Sequence, residues 1–483
     1  MISMTLADWL VLTAIPIIAA ILAIFGRSQN KGWRGYFIAQ GTLSTTSVVS
    51  TYFGANLTFT TIFLLLAHEA YYRGACVFVV PVFWFLGSCL FSILYNHIQP
   101  YVAKGQMLHQ ALAEGFASPQ LQKWASCWTI IGFTGTVGLE FYGAMLVFHW
   151  LGLPSGYDVT LGLVLAACCA AFTYIGGFRG VAISDFFLDI FALAAAIIIG
   201  YLAYPRDGLS VVPAELVGSP PPLPDITESV LYALGMALLF IPFHFCVLDS
   251  WQRCAAWHKK EKSIASWTIS GGALLAICYS APIFVGLWLR RHNIEIAHSD
   301  QPLRVFLSLQ QLPAPLTGII IAGFIGAMLS TADELLNCSA LTVVFDLLQV
   351  PRDHTTRSAT DERRIVVTGQ LYTVFFGFLS AFVAILAIWL KRPISDIAIA
   401  VFSGQVVFFL PLCLQFFWPE KAKALGSTAS LAMVLAFVTG LAAVVSSWVW
   451  NIRLLAESAP LLSFFTVLVV LCIGLLRSVY IAR

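Results

Sequence analysis

Apolar runs long enough to cross a bilayer recur along the whole chain with short polar stretches between them, and this pattern predicts helices. A run of about 18 or more apolar residues spans a ~30 Å hydrocarbon core as a helix, whereas barrel strands give short alternating segments. Thirteen such runs are predicted, at about 6–25, 43–67, 75–97, 125–150, 158–176, 181–204, 228–249, 264–289, 314–347, 365–390, 394–418, 427–448 and 460–480. No segment of 40 residues lacks one, so a single transmembrane domain over 1–483 is expected.

Composition agrees with the pattern. Of 483 residues, 59% are hydrophobic and 10% charged, with a mean hydropathy of +0.86; a soluble protein has roughly a quarter of its residues charged. The expectation is an all-α polytopic protein embedded in the lipid bilayer. Its net charge of +2 and the lack of a basic stripe with interleaved aromatics exclude a nucleic-acid partner. Positive loops stay in the cytoplasm. With the N-terminus outside and the C-terminus inside, inner loops hold 18 of the 26 Lys and Arg residues, including Lys31, Arg253, Lys259, Lys260, Lys262, Arg352, Arg357 and Arg483, while Arg206, Lys391 and Arg392 fall outside. The bacterial inner membrane is the expected location. The first run lacks a basic leader and carries Asp8, so it is taken as a helix and not as a signal peptide. Eleven cysteines without C-x-x-C spacing are expected to be small buried residues.

Ionisable groups at membrane depth cost roughly 2.5–3.5 kcal/mol on insertion scales and need a partner or a task. The chain has Glu140, Asp185, Asp189, His244, Asp333 and Glu334 there. In "GAMLSTADELLNCSALTVVFD", Ser330, Asp333 or Glu334, and Asn337 form a helical stripe with Thr331 beside it. Two readings stand: hydrogen bonding between helices, or hydroxyl oxygens for a desolvated monovalent cation. The second run, "TLSTTSVVSTYFGANLTFTTIFLLLAHE", is rich in Ser and Thr, and its Gly54-Ala55-Asn56 is a candidate place for the helix to unwind and free carbonyls. Thr60 and Thr61 would then face a cavity, or bond back to the preceding turn. Pro242 in "FIPFHF" marks a second break. Breaks five spans apart fit two inverted five-helix repeats, at 43–205 and 227–418, with an extra helix and inner loop at 1–42 and extra helices at 427–483.

Six stretches, in order from Tyr36 to Ala424, resemble the sodium:solute symporter family, which includes sodium-coupled proline, pantothenate and sugar transporters. They are "GYFIAQGTLS", "GANLT", "TYIGGFRGVAISDFFLD", "SWQRCAAWHKKEKSIA", "LSTADELLNCSALTVVFDLL", with paired hydroxyls and an Asp sixteen residues after the first, and "FFLPLCLQFFW". The resemblance implies a LeuT-type core of inverted five-helix repeats with broken first and sixth core helices. It also implies Na⁺ as coupling ion, held by the carbonyls of Gly54, Leu57 and Ala327 and the side chains of Ser330 and Thr331. Asp185 matches a family aspartate associated with a second cation position or the inner exit.

Departures from the family bear on the substrate. Where sugar carriers place carboxylates and amides, this chain has Thr60, Thr61 and the apolar "CVFVVPVFWF", so a small amino acid, organic acid or amine is expected rather than a sugar. Glu140, Phe243 and His244 are the other candidate substrate contacts. Glu140 reads either as a partner for a cationic or amine-bearing solute, as a proton carrier, or as a structural hydrogen-bonding group. The expected function is Na⁺-coupled symport of a small-molecule solute by alternating access, in a monomer or weak oligomer, with no enzymatic site. Alternatives are proton coupling through Glu140 and His244, and a transporter-like membrane sensor.

Overall fold

In lipid, an isolated span satisfies its backbone only as a helix, and among the described residues the chain has no strand, only two isolated bridges, Leu43 to Trp257 and Val217 to Ile294. The computed structural model describes residues 2, 4–27, 32–154, 156–204, 217–257, 263–297, 301–310, 312–350, 358–390, 394–450 and 452–481. Lys31, Arg206, Lys259, Lys260, Lys262, Arg352, Arg357, Lys391, Arg392 and Arg483, used above to orient the chain, lie outside these residues, as does the boundary at 205.

Nine helices among the described residues are long and apolar enough to cross a membrane. Two of them each carry two predicted runs. One is α6 (Tyr157–Ala203), whose arms meet at Gly177. There φ is 57° and ψ −168°, a conformation that a side chain would strain, which explains the second glycine of "TYIGGFRG". The predicted runs at 228–249 and 394–418 fall on interrupted helices.

The first helix, α1 (Leu6–Gly26), is peripheral, followed by α2 (Thr45–Asn56). At Leu57 the backbone leaves the helix (ψ 67°) and at Thr58 it is extended (ψ 148°). A π-helical turn, Phe59–Leu64, leads into α3 (Leu65–Arg73). Next come α4 (Val79–Ala103), α5 (Pro119–Trp150) and α6. The second interruption follows α7 (Ile226–Phe240) at Ile241-Pro242, continues through a single turn at Phe243–Cys246 and an extended Val247 (ψ 126°), and resumes in α8 (Leu248–Ala256). The rest is α9 (Ala265–Arg291), α10 (Leu316–Thr342), α11 (Ala359–Leu390), α12 (Ile394–Val406), α13 (Phe409–Phe417), α14 (Gly426–Trp450) and α15 (Ala459–Ile481).

Burial separates centre from rim. Within the most apolar 18-residue window, 94% of the span containing α10 is buried, against 28% of α1 and 33% of α15. A stripe of five polar side chains therefore sits on the innermost helix. Leu10, Phe378, Phe382, Leu441 and Ile473, on α1, α11, α14 and α15, point outward where lipid would cover them. The chain is a multi-pass integral membrane protein.

Candidate ion and solute site

A helix end leaves its last carbonyls without intrahelical donors, and α2 ends in the middle of the fold. Thr331 Oγ1 on α10 donates to two of those carbonyls, Gly54 O at 3.2 Å and Ala55 O at 3.4 Å. Ser330 Oγ donates to Asp185 Oδ1 at 2.6 Å, and Ser50 Oγ on α2 donates to Asp189 Oδ2 at 2.7 Å. All of these side chains are buried. Gly54 permits the approach: a Cβ there would overlap Ser330 Oγ and stand 2.5 Å from Asp189 Oδ1.

The result is a pocket of hard oxygens drawn from α2, α6 and α10. Asp185 Oδ2, Asp189 Oδ1 and both oxygens of Asp333 are buried without a hydrogen-bond donor. Orphaned buried acceptors are costly, and a small cation satisfies several at once. Among the described residues no three His, Cys, Asp or Glu side chains converge as metal ligands. Neutral carbonyl and hydroxyl dipoles suit a monovalent ion such as Na⁺, which they hold and release. Ala327 lies one turn before Ser330 and is buried, and Leu57 sits at the break itself.

Glu140 lies elsewhere than a substrate contact would. It accepts from Phe59 N at 3.0 Å and from Thr60 N at 3.2 Å, so its carboxylate caps the backbone that restarts after the first break. A buried carboxylate at a free helical N-terminus satisfies donors that have no other partner. Thr60 also turns away, its hydroxyl donating to Leu139 O at 2.9 Å. Thr61 lines the central cavity and is hydrogen-bonded to Thr58.

That cavity lies between the two interruptions. Ala55, Asn56 and Thr58 come from the first, Phe240, Phe243 and Val247 from the second, and Trp84, Phe133, Tyr279 and Phe402 from neighbouring helices. Trp84 stacks tilted against Phe243 at 4.9 Å between centroids and Tyr279 at 5.4 Å. The Tyr279 hydroxyl is committed to Asn56 O at 2.6 Å. His244, expected at the cavity, sits behind it, with Nε2 2.8 Å from the Tyr52 hydroxyl and 3.2 Å from Ser88 Oγ.

Arg253 was missed as a site residue. Counted above among inner-loop cations, it is fully buried on α8. It donates to Asp249 Oδ2 at 2.6 Å and to Thr51 O at 3.1 Å, and its Nη2 stands 2.7 Å from Glu334 Oε1. One guanidinium thus joins both interrupted helices to α10. The signal was the Gln-Arg pair within "SWQRCAAWH", read as a loop motif because hydrophobicity ends there. Gln252 is buried too and donates to Asn337 Oδ1 at 2.8 Å, which gives Asn337 a structural bond and separates it from the ion cluster.

No family profile matches the chain. It is similar to the sodium/pantothenate symporter of Escherichia coli (strain K12), with 26% identity over 447 residues, which is 86% of this chain and 88% of that protein. A second sodium/pantothenate symporter, from Haemophilus influenzae (strain ATCC 51907 / DSM 11121 / KW20 / Rd), is 26% identical over 316 residues, 62% of each chain. Among solved structures, a Na⁺-coupled sialic acid symporter in a substrate-bound outward-open state shares the fold at a TM-score of 0.74, with 14% identity, over 98% of this chain and 97% of that one.

Proposed function

We propose that the chain is a member of the sodium:solute symporter family, a reading its likeness to two sodium/pantothenate symporters supports, and that it imports a small organic solute by Na⁺-coupled symport with alternating access. The observation that carries this reading is the meeting of the Gly54 and Ala55 carbonyls, freed by the first break, with the Thr331 hydroxyl on α10, where Ser330 Oγ also packs against Gly54. Na⁺ is held by the carbonyls of Gly54, Leu57 and Ala327 and by those two hydroxyls. Asp185, with Asp333 unpartnered nearby on α10, offers a second cation position. Binding at the first site ties α2 to α10, and coupling follows when the ion binds that arrangement better than the inward-open one.

The solute occupies the cavity between the interruptions, against Thr61 and Phe243. Glu140 acts as the cap of the first break and His244 as support for its wall, not as substrate contacts. The repeats run over 43–205 and 227–418, and the helices at 1–42 and 427–483 flank them. One chain contains both breaks and the cavity, so a monomer suffices. The location is the bacterial inner membrane, with the N-terminus outside and the C-terminus in the cytoplasm, and nucleic acid has no part in the function.

Uptake into proteoliposomes tests the reading, using labelled amines, amino acids and organic acids, pantothenate among them. Accumulation is expected with an inward Na⁺ gradient and none with a proton gradient in Na⁺-free medium. Uptake on the proton gradient alone would overturn the sodium assignment.

A further inference from the structure

The cavity wall carries an imbalance that the ion site does not use. Among the described residues that line it there is no Lys, Arg or His, and Asp249 is the one carboxylate. Asp249 Oδ2 takes Arg253, but Oδ1 is buried with no donor, and Arg253 is shared with Glu334. Gln405 Oε1, on a residue that also lines the cavity, is likewise buried without a donor. Two acceptors on the wall lack donors against one donor without a partner, Trp84 Nε1, and one positive charge serves two carboxylates. Around them stand the rings of Trp84, Phe243, Tyr279 and Phe402.

We propose that this cavity takes an organic cation, a solute with an amine or ammonium head on an apolar or aromatic body. The head supplies the N–H groups that Asp249 and Gln405 lack, and aromatic faces attract a desolvated cation through the ring quadrupole. A carboxylate head finds no basic side chain on the wall and meets Asp249 as a like charge, which desolvation makes worse. A polyhydroxylated solute leaves most of its hydroxyls against apolar rings, without the hydrogen bonds they make in water. The inference rests on the symport reading for the identity of the cavity, but the choice of head group can be decided separately.

Three probes with one phenethyl body separate the heads: phenethylamine, hydrocinnamate and phenethyl alcohol. Binding is read on the purified full chain in nanodiscs by thermal stabilisation, in NaCl and in KCl, alongside binding of radioactive sodium. Phenethylamine is expected to bind at least about tenfold more tightly than hydrocinnamate. Gln405→Leu should weaken that binding severalfold and leave sodium binding intact, which makes it the decisive variant should Asp249→Asn fail to fold. Hydrocinnamate or phenethyl alcohol binding as well as the amine overturns the proposal. So does the absence of any binding by a protein that still takes up radioactive sodium. An amine preference in a protein that binds no sodium supports the proposal and sinks the symport reading instead.

Discussion

The two interrupted helices look alike on paper and are built differently. At the first break, polar chemistry surrounds the backbone: Glu140 takes the restarting N–H groups, Thr331 meets the terminating carbonyls, and Asp189 stands beside Gly54. At the second, the freed backbone is handled by an indole and by its own turn. Trp251 Nε1 donates to Phe245 O at 3.0 Å and Phe245 N to Pro242 O at 3.0 Å, with Trp84 and Phe402 packed against Phe243. A carboxyl cap and hydroxyl partners leave oxygens where an ion can be exchanged for protons of hydrogen bonds. Aromatic packing leaves a shaped apolar wall. The difference fits the proposed division, an ion at the first break and a solute in the cavity between the two, and Arg253 connects the breaks.

Removing that connection should have the largest effect. Arg253→Ala leaves Asp249 and Glu334 buried without their cation, and breaking such a pair costs about 3–5 kcal/mol. Little monodisperse protein should survive detergent extraction, as read by fluorescence-detected size exclusion. Glu140→Ala comes next, because two buried N–H groups each lose a partner at about 1–3 kcal/mol. Its thermal midpoint should fall well below that of Glu140→Gln, whose amide oxygen still accepts; equal midpoints would remove the capping role. The double change Ser330→Ala with Thr331→Ala should raise the Na⁺ concentration for half-maximal uptake by at least about tenfold, near 1.4 kcal/mol. Smallest is Trp251→Phe, which forfeits one hydrogen bond at about 0.5–1.5 kcal/mol. It should lower the midpoint slightly and leave Na⁺ dependence unchanged. A Na⁺ affinity as damaged by Trp251→Phe as by the hydroxyl pair would dissolve the division between the breaks.

Hydrophobic pattern carried the reading of the fold a long way, since helix in lipid is a local necessity. Pro242 marked the second interruption directly. The first was expected at Gly54-Ala55-Asn56 and falls at Leu57-Thr58. The helix runs on through Asn56, whose Nδ2 donates back to Tyr52 O at 2.7 Å, and stops where Glu140 receives Phe59 and Thr60. That residue lies on another helix, 81 positions away, so no local rule could locate the stop. Asp333 and Glu334, adjacent on α10, were equivalent in sequence. They differ in the fold because successive helical positions point about 100° apart: Glu334 reaches Arg253, while Asp333 finds no donor.

By itself the sequence determined a polytopic helical protein, the positions of its apolar runs, the existence of two interruptions and the pair of hydroxyls on the most buried helix. These follow from backbone satisfaction in lipid, from proline and from side-chain periodicity, all of which act within a few residues. Only the tertiary structure decided that Glu140 caps, that His244 supports the wall behind the cavity, that Arg253 is a buried bridge and that Asp249 and Gln405 stand unsatisfied at the cavity. A polar group at membrane depth must find a partner, but which partner it finds depends on how helices distant in sequence pack.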